Sequence, residues 1–338
     1  MSALLAACGS SSKPASSTTT GSGAPNYGEL TFQLSWVKDV EFAGEYIADT
    51  NGYYKQVGFS SVNLLTGGPN VQQDAVVASG KALACISSPD ITSAAINQGA
   101  GIITIGAQYQ KNPFAIMSLA TKPIETPQDM IGKKIGVQAT NEAVWNSFLK
   151  ANHLDPSKID KVPVQFDPSP LAQGTVDGWF AFSTNEPNLL AVKGVKTHIF
   201  LLADYNYPLV SETYVVKKAD LTGKRDELKA LMKAEIMGWQ QSLKNPTLGA
   251  QLTVDTYGKG LGNTVAEQTL ESKSQNLLMV SDDTKANGLF TITPELITKN
   301  ITTLGVAGIT ITADKLFDTS LIDEVYSENP SLKAYTTA

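Results

Sequence analysis

The chain has 338 residues, 42% hydrophobic and 17% charged, enough apolar material for two domains or one large one. It holds no run of about eighteen apolar residues, the length a membrane-spanning helix needs. A net charge of -6 argues against nucleic acid as a partner, because a phosphate-binding face needs a basic patch.

Leu5-Ala6-Ala7-Cys8-Gly9 resembles a bacterial lipobox, in which the cysteine takes a lipid, so Cys8 is expected to anchor the chain to the outer face of the cell membrane. Only Met1-Ser2-Ala3-Leu4 precede it, whereas a full signal needs a basic region and a longer apolar stretch. The Ser/Thr/Gly/Pro tract that runs to Pro25 has too few apolar groups to fold and reads as a flexible tether, giving a first segment of residues 1–27. Cys85, in the apolar run Leu83-Ala84-Cys85-Ile86, is expected to be a buried structural thiol rather than a disulfide partner.

From Glu29 short β-like runs alternate with helical segments, the pattern of α/β layers. Leu30–Leu34 alternates as a strand, and Phe42, Ala43, Tyr46 and Ile47 mark a helix face that Asn51-Gly52 ends. Val62–Leu65 is a strand, followed by the turn Gly67-Gly68-Pro69-Asn70, a helix over Val71–Val77 and a strand at Leu83–Ile86. Ser88-Pro89-Asp90 predicts an N-cap, a first-turn proline and an acidic first turn. Ile102–Ile105 and Phe114–Leu119 complete the first set of strands.

A second set begins near Thr121, with a helix after Thr126-Pro127, a strand at Lys134–Val137 and a helix opening at Thr140-Asn141-Glu142. Val162–Phe166, Val176–Phe182 and His198–Leu202 read as strands, and Glu212–Val216 returns toward the first set. Beyond Asp220 the chain is mainly helical, with Leu228, Leu231, Met232, Ile236, Trp239 and Leu243 at helical spacing as core. There is no internal sequence repeat. The expected architecture is α/β with two lobes: 28–120 opens lobe 1, 121–208 is lobe 2, and 209–338 completes lobe 1. Two crossovers, near 118–124 and 206–214, form the hinge.

The stretch Leu34-Ser35-Trp36-Val37-Lys38-Asp39, then Glu41–Ala48 and Asn51-Gly52-Tyr53-Tyr54, resembles the opening of solute-binding proteins related to the hydroxymethylpyrimidine (thiamine-precursor) synthase family. The likeness continues through Ser87–Asp90, Gln110–Ile116, Gly132–Val137 and Val176–Trp179, over about residues 28–330. The resemblance implies a periplasmic-binding-protein type II fold and the ligand-capturing role in an ABC importer, with a small-molecule ligand, a membrane permease as partner and a monomeric chain. Many relatives carry a His where this chain has Glu41-Phe42. Family synthases use a His and a cysteine-rich iron motif, whereas this chain has only His153, His198 and no cysteine cluster. No enzyme activity, cofactor or metal is therefore expected.

Ligands in open α/β sheets bind beyond the carboxyl ends of strands. The residues expected there are Trp36, Glu41, Phe42, Ser88, Asp90, Tyr109, Thr140, Asn141, Trp179, Asn185, Glu186, Tyr205 and Tyr207. Trp36, at a strand end, reads as a cleft-wall stacking platform, with a core aromatic as the alternative. Ser88, Asp90, Thr140 and Asn141 read as helix caps whose free amides also suit a ligand acceptor. Glu186 is either a helix-start charge or an acceptor for an amino-heterocycle. Anion-binding proteins often use an arginine fork. The single arginine, Arg225, sits in the charged helix start Gly223–Asp226, while Glu41, Asp90, Asp177 and Glu186 crowd the junctions with acid. The preferred ligand is thus a neutral or weakly cationic heterocycle, a thiamine pyrimidine precursor or a flavin-like ring. The alternatives are a sulfonate, nitrate or other anion held by helix amides and Lys111, a fold-related enzyme such as a pyrimidine-precursor synthase, and a receptor's sensing domain. No hydrolase elbow, phosphate loop or zinc spacing supports the enzyme.

Overall fold

The structure, a computed structural model, describes residues 25–338, so Cys8 and the lipobox lie outside the described residues. Ten strands form two five-stranded sheets. The first contains β1 (Gly28–Gln33), β2 (Phe59–Leu65), β3 (Ala84–Ser87), β4 (Ile102–Tyr109) and β10 (Ser211–Lys217) in the order β2-β1-β3-β10-β4. The second contains β5 (Phe114–Leu119), β6 (Lys134–Gln138), β7 (Asp160–Val164), β8 (Gly178–Phe182) and β9 (Thr197–Leu201) in the order β7-β6-β8-β5-β9.

The sheets share one plan. Four strands run in one direction, and a strand delivered from the other lobe lies antiparallel between the third and the last of them. The plan repeats although the sequence does not, because burial of one strand face constrains polarity and not identity.

Phe114–Leu119 therefore belongs to the second sheet, paired with β8 and β9, and not to the first set. The chain leaves the first sheet at 110–113 and returns through 202–210, about eight and about four residues earlier than expected. Alternation identifies a strand but carries no information on which sheet it joins. The two crossovers are tied together by buried Asn112: its N–H donates to Leu209 O (2.9 Å) and its Nδ2 to Tyr207 O (2.7 Å).

The helix Ala43–Thr50 ends at Asn51, as expected, and packs against the long helix Arg225–Lys244. The expected stripe from Leu228 to Leu243 is fully buried over the first sheet, each large apolar side chain there contributing roughly 1.5–3 kcal/mol. The two helices cross so closely that a Cβ on Gly238 would lie 2.1 Å from Gly44 O, and one on Gly44 would lie 2.2 Å from the Trp239 ring. The C-terminal part does not serve the first sheet alone. Leu304, Ala307, Ile311, Leu316 and Phe317 join the core of the second, beside the helix Glu142–Ala151. Cys85 is a buried free thiol in β3.

Candidate functional site

The strand ends of the two sheets converge on one cavity of about 40 Å³. From the first lobe come Ser35 and Trp36 beyond β1, Gln73 at the start of the helix after β2, Ser87 at the end of β3, Ser88 just beyond it, and Glu212 at the start of β10; from the second come Phe114, Thr140, Asn141, Phe180, Phe182, Asn185 and Glu186. Glu41 reaches it because Asp39 caps the turn Val40–Phe42, accepting the Glu41 N–H at 3.0 Å. Gly67 donates its N–H to Trp36 O at 2.8 Å, a close approach that leaves no room for a side chain, since its Cβ would lie 2.4 Å from the Ser35 carbonyl carbon. This pins the loop that carries the half-buried Trp36. Phe114 packs edge-on against Phe182 (4.7 Å, 76°) and lies 5.3 Å from Phe180, completing an aromatic wall opposite.

The polar part of the cavity is acidic. The Ser35 hydroxyl lies 2.9 Å from Glu41 Oε1 and 3.0 Å from Glu212 Oε2. Burial, with the neighbouring Glu212 charge next, holds the Glu41 carboxyl well above its ordinary range. Burial raises Glu212 to about 7. Burial also raises Glu186 to about 7, against the opposing effect of the Phe182 N–H that donates to it at 2.8 Å. Glu212 sits at φ 47°, an uncommon region for a residue other than glycine. No Lys, Arg or His lines the cavity. Lys111 is exposed and pairs with Asp204 at 3.4 Å, and Arg225 pairs with Glu324 at 2.6 Å, so neither supplies a positive charge there.

Hydrogen bonds cross between the lobes around this cavity. Asn185 Nδ2 donates to Asp39 Oδ2 (2.9 Å) and to Glu271 Oε1 (2.7 Å) on the helix Val265–Met279. Thr140 donates its N–H to Pro69 O (2.9 Å) and its hydroxyl to Val71 O (3.1 Å). The cleft is closed, and its closing contacts flank the cavity.

Of the residues expected at the site, Trp36, Glu41, Ser88, Thr140, Asn141, Asn185 and Glu186 come together around the cavity. The others do not line it. Phe42 is fully buried in the first core. Tyr109 is buried with its hydroxyl donating to Gln275 Oε1 at 2.8 Å. Trp179 packs with Met117, Leu171 and Leu190 on the far face of β8. Tyr205 is half-buried and donates to Glu125 O at 3.2 Å. Asp90 is buried beneath the site, where it accepts from the hydroxyls of Ser88 and Tyr207 and from the Ile91 N–H (2.9 Å). Ser88 occupies the N-cap of the helix Pro89–Asn97, yet its hydroxyl serves Asp90 rather than the helix amides. Asp177 is exposed and accepts the Lys134 N–H at 2.9 Å, away from the cavity.

Sequence reasoning missed Ser35, Gln73, Ser87, Ile91, Phe114, Phe180, Ala181, Phe182 and Glu212. Period-two alternation along Trp179-Phe180-Ala181-Phe182 contains the signal for Phe180 and Phe182, which point away from Trp179. For Glu212 there was none, because its backbone conformation leaves no mark in the sequence. His153 is exposed, and His198 lies in β9. Among the described residues no group of three or more His, Cys, Asp or Glu side chains is arranged to hold a metal.

Two sheets of this plan, joined by two crossovers and closed over one cleft, define the periplasmic-binding-protein fold. Solved structures agree. A protein from Bordetella bronchiseptica RB50 superposes with TM-score 0.71 at 15% identity, covering 89% of this chain and 98% of that one. The periplasmic nitrate-binding protein NrtA from Synechocystis PCC 6803 gives 0.66 at 14% identity (93% of each chain), and the periplasmic aliphatic sulphonate binding protein SsuA from Escherichia coli gives 0.60 at 12% (92% of each). The "NMT1/THI5 like" family model matches residues 39–248, and the chain belongs to that family. A curated relative, riboflavin-binding protein RibY from Chloroflexus aurantiacus, is 25% identical over 228 residues. The match takes in 66% of this chain and 64% of the relative, just under two thirds of its length.

Proposed function

We propose that this protein is the extracytoplasmic solute-binding component of an ABC importer and that it captures a small nitrogen heterocycle in the inter-lobe cleft. The observation that carries the reading is the cavity itself: aromatic walls from Trp36, Phe114, Phe180 and Phe182, three carboxyls from Glu41, Glu186 and Glu212, and no basic side chain. A nitrate or sulfonate would meet carboxyls where it needs cations, which weighs against carrying over the ligands named for NrtA and SsuA. An aromatic ring with N–H groups meets stacking surfaces and acceptors together.

Two ring systems fit this description. The sequence resemblance to the hydroxymethylpyrimidine synthase family supports a thiamine-type pyrimidine, and the likeness to RibY supports a flavin. About 150 Å³ holds benzene, whereas this cavity is about 40 Å³, so either ring requires the cleft to open, a three-ring flavin further than a pyrimidine. The role is reversible binding rather than turnover, with delivery to a membrane permease.

Calorimetric titration of a pyrimidine, riboflavin, nitrate and alkanesulfonate against wild type, Trp36→Ala and Glu186→Gln tests this. Trp36→Ala should weaken every aromatic ligand, by about 0.5–1.5 kcal/mol beyond lost area. Glu186→Gln should weaken ligands with donors by roughly ten- to a hundredfold. Tight binding of an anion, with no heterocycle bound, overturns the reading.

A further inference from the structure

Ser35 is the starting point, because its hydroxyl lies within hydrogen-bonding distance of both Glu41 and Glu212. A hydroxyl has one proton to donate. It satisfies one carboxyl as donor, and the second contact then requires a protonated carboxyl that donates back to Ser35 Oγ. The geometry thus calls for one exchangeable proton shared at the cavity wall. The groups that face the pair do not supply a countercharge. They are the carboxyls of Asp39, Glu45, Glu186 and Glu271, the phenols of Tyr46 and Tyr109, and the Cys85 thiol.

A second observation points to a ligand. Gln73 lines the cavity, and its buried Oε1 has no hydrogen-bond partner. An unpaired buried acceptor carries a standing penalty that a ligand N–H removes. The cavity therefore offers acceptors from both lobes and one mobile proton.

We propose that the cleft captures its heterocycle as a cation: a ring-nitrogen base of the aminopyrimidine class takes the proton of the Ser35–Glu41–Glu212 trio and is held against the carboxylate left behind. In this step the O–H bond of the Glu41 carboxyl breaks and an N–H bond forms on the ring, with no change in net charge and no further reactant. The new cation faces Glu41, Glu212 and Glu186, and Gln73 Oε1 accepts an amino N–H. The inference rests on the heterocycle reading and narrows it to basic rings.

Proton linkage follows. At acid pH the ligand arrives already protonated, so binding must expel the proton held by the trio. At alkaline pH both partners have lost theirs, so binding must take one up. Affinity passes through a maximum between these limits and falls roughly tenfold per pH unit beyond them.

The test is calorimetric titration of the protein with 4-amino-5-hydroxymethyl-2-methylpyrimidine at pH 5 and pH 8.5, each in two buffers of different ionisation enthalpy. Riboflavin, which has no basic ring nitrogen near neutrality, is the comparison probe. The expected result is about one proton released at pH 5, about one taken up at pH 8.5, and loss of the release at pH 5 in Glu41→Gln, which has no Glu41 proton to expel. Pyrimidine binding without proton exchange at either pH overturns this inference and leaves the heterocycle reading standing. Binding of riboflavin and not the pyrimidine overturns it in the same way. Binding of neither probe at any pH overturns the heterocycle reading itself.

Discussion

Raising the pH from 5 to 8 should destabilise this protein, opposite to the trend that salt-bridged carboxylates produce. Glu186 and Glu235 are buried, and burial lifts each from an ordinary 4.5 to about 7. In the native state each holds a proton that the unfolded chain has already released across that window. Its contribution is complete below about 4.5 and is lost as pH rises through about 7. Some 2.5 units at about 1.4 kcal/mol each gives on the order of 3 kcal/mol per carboxyl. Glu235 isolates the effect, because it lies in the first core and accepts from the Tyr54 and Tyr214 hydroxyls, the latter at 3.1 Å, away from the cleft. Glu235→Gln keeps an acceptor for the tyrosines and removes the titration. Urea unfolding followed by tryptophan fluorescence at pH 5, 6, 7 and 8 should give a falling wild-type curve. In the variant the fall should be smaller by roughly 3 kcal/mol. A wild-type curve that is flat or rises with pH, or a variant with an unchanged slope, refutes the reasoning.

Asn185→Ala removes both donors that cross from the second lobe to Asp39 and Glu271. It should enlarge the radius of gyration in solution scattering and weaken ligand binding by about ten- to a hundredfold. Gly238→Ala places a methyl 2.1 Å from Gly44 O and should lower stability by about 1–3 kcal/mol, read as a lower melting temperature, with the cleft unaltered. Cys8→Ser, expressed in a bacterium that processes lipoproteins, should move the protein from the membrane fraction to the soluble one without changing ligand affinity.

The elements that local chemistry defines were legible in the sequence. Asn51-Gly52 stops the helix Ala43–Thr50, Thr126-Pro127 opens the short helix Pro127–Met130, and the stripe from Leu228 to Leu243 lies on one buried face. Assignment of strands to sheets was not legible. Phe114–Leu119 has the same alternating look in either sheet, and only its pairing with β8 and β9 fixes the crossover at 110–113. The candidate site divided along a similar line. Polar residues at strand ends, such as Glu41, Thr140 and Asn185, reach the cavity because junctions open there. Aromatic residues misled, since Tyr109, Trp179 and Tyr207 suit a core as well as a cleft wall and are here buried in cores. Gln73 and Glu212 carry no sequence signal at all; one is notable for an unmet acceptor, the other for an unusual backbone angle.

The most direct measurement is native mass spectrometry of the freshly purified protein, followed by release and identification of whatever copurifies. The account expects one small nitrogen heterocycle per chain, with a ring that carries amino groups and a basic nitrogen, lost when Trp36 and Glu186 are replaced together. Recovery of nitrate or a sulfonate, or of a heterocycle that the double variant retains unchanged, would contradict it.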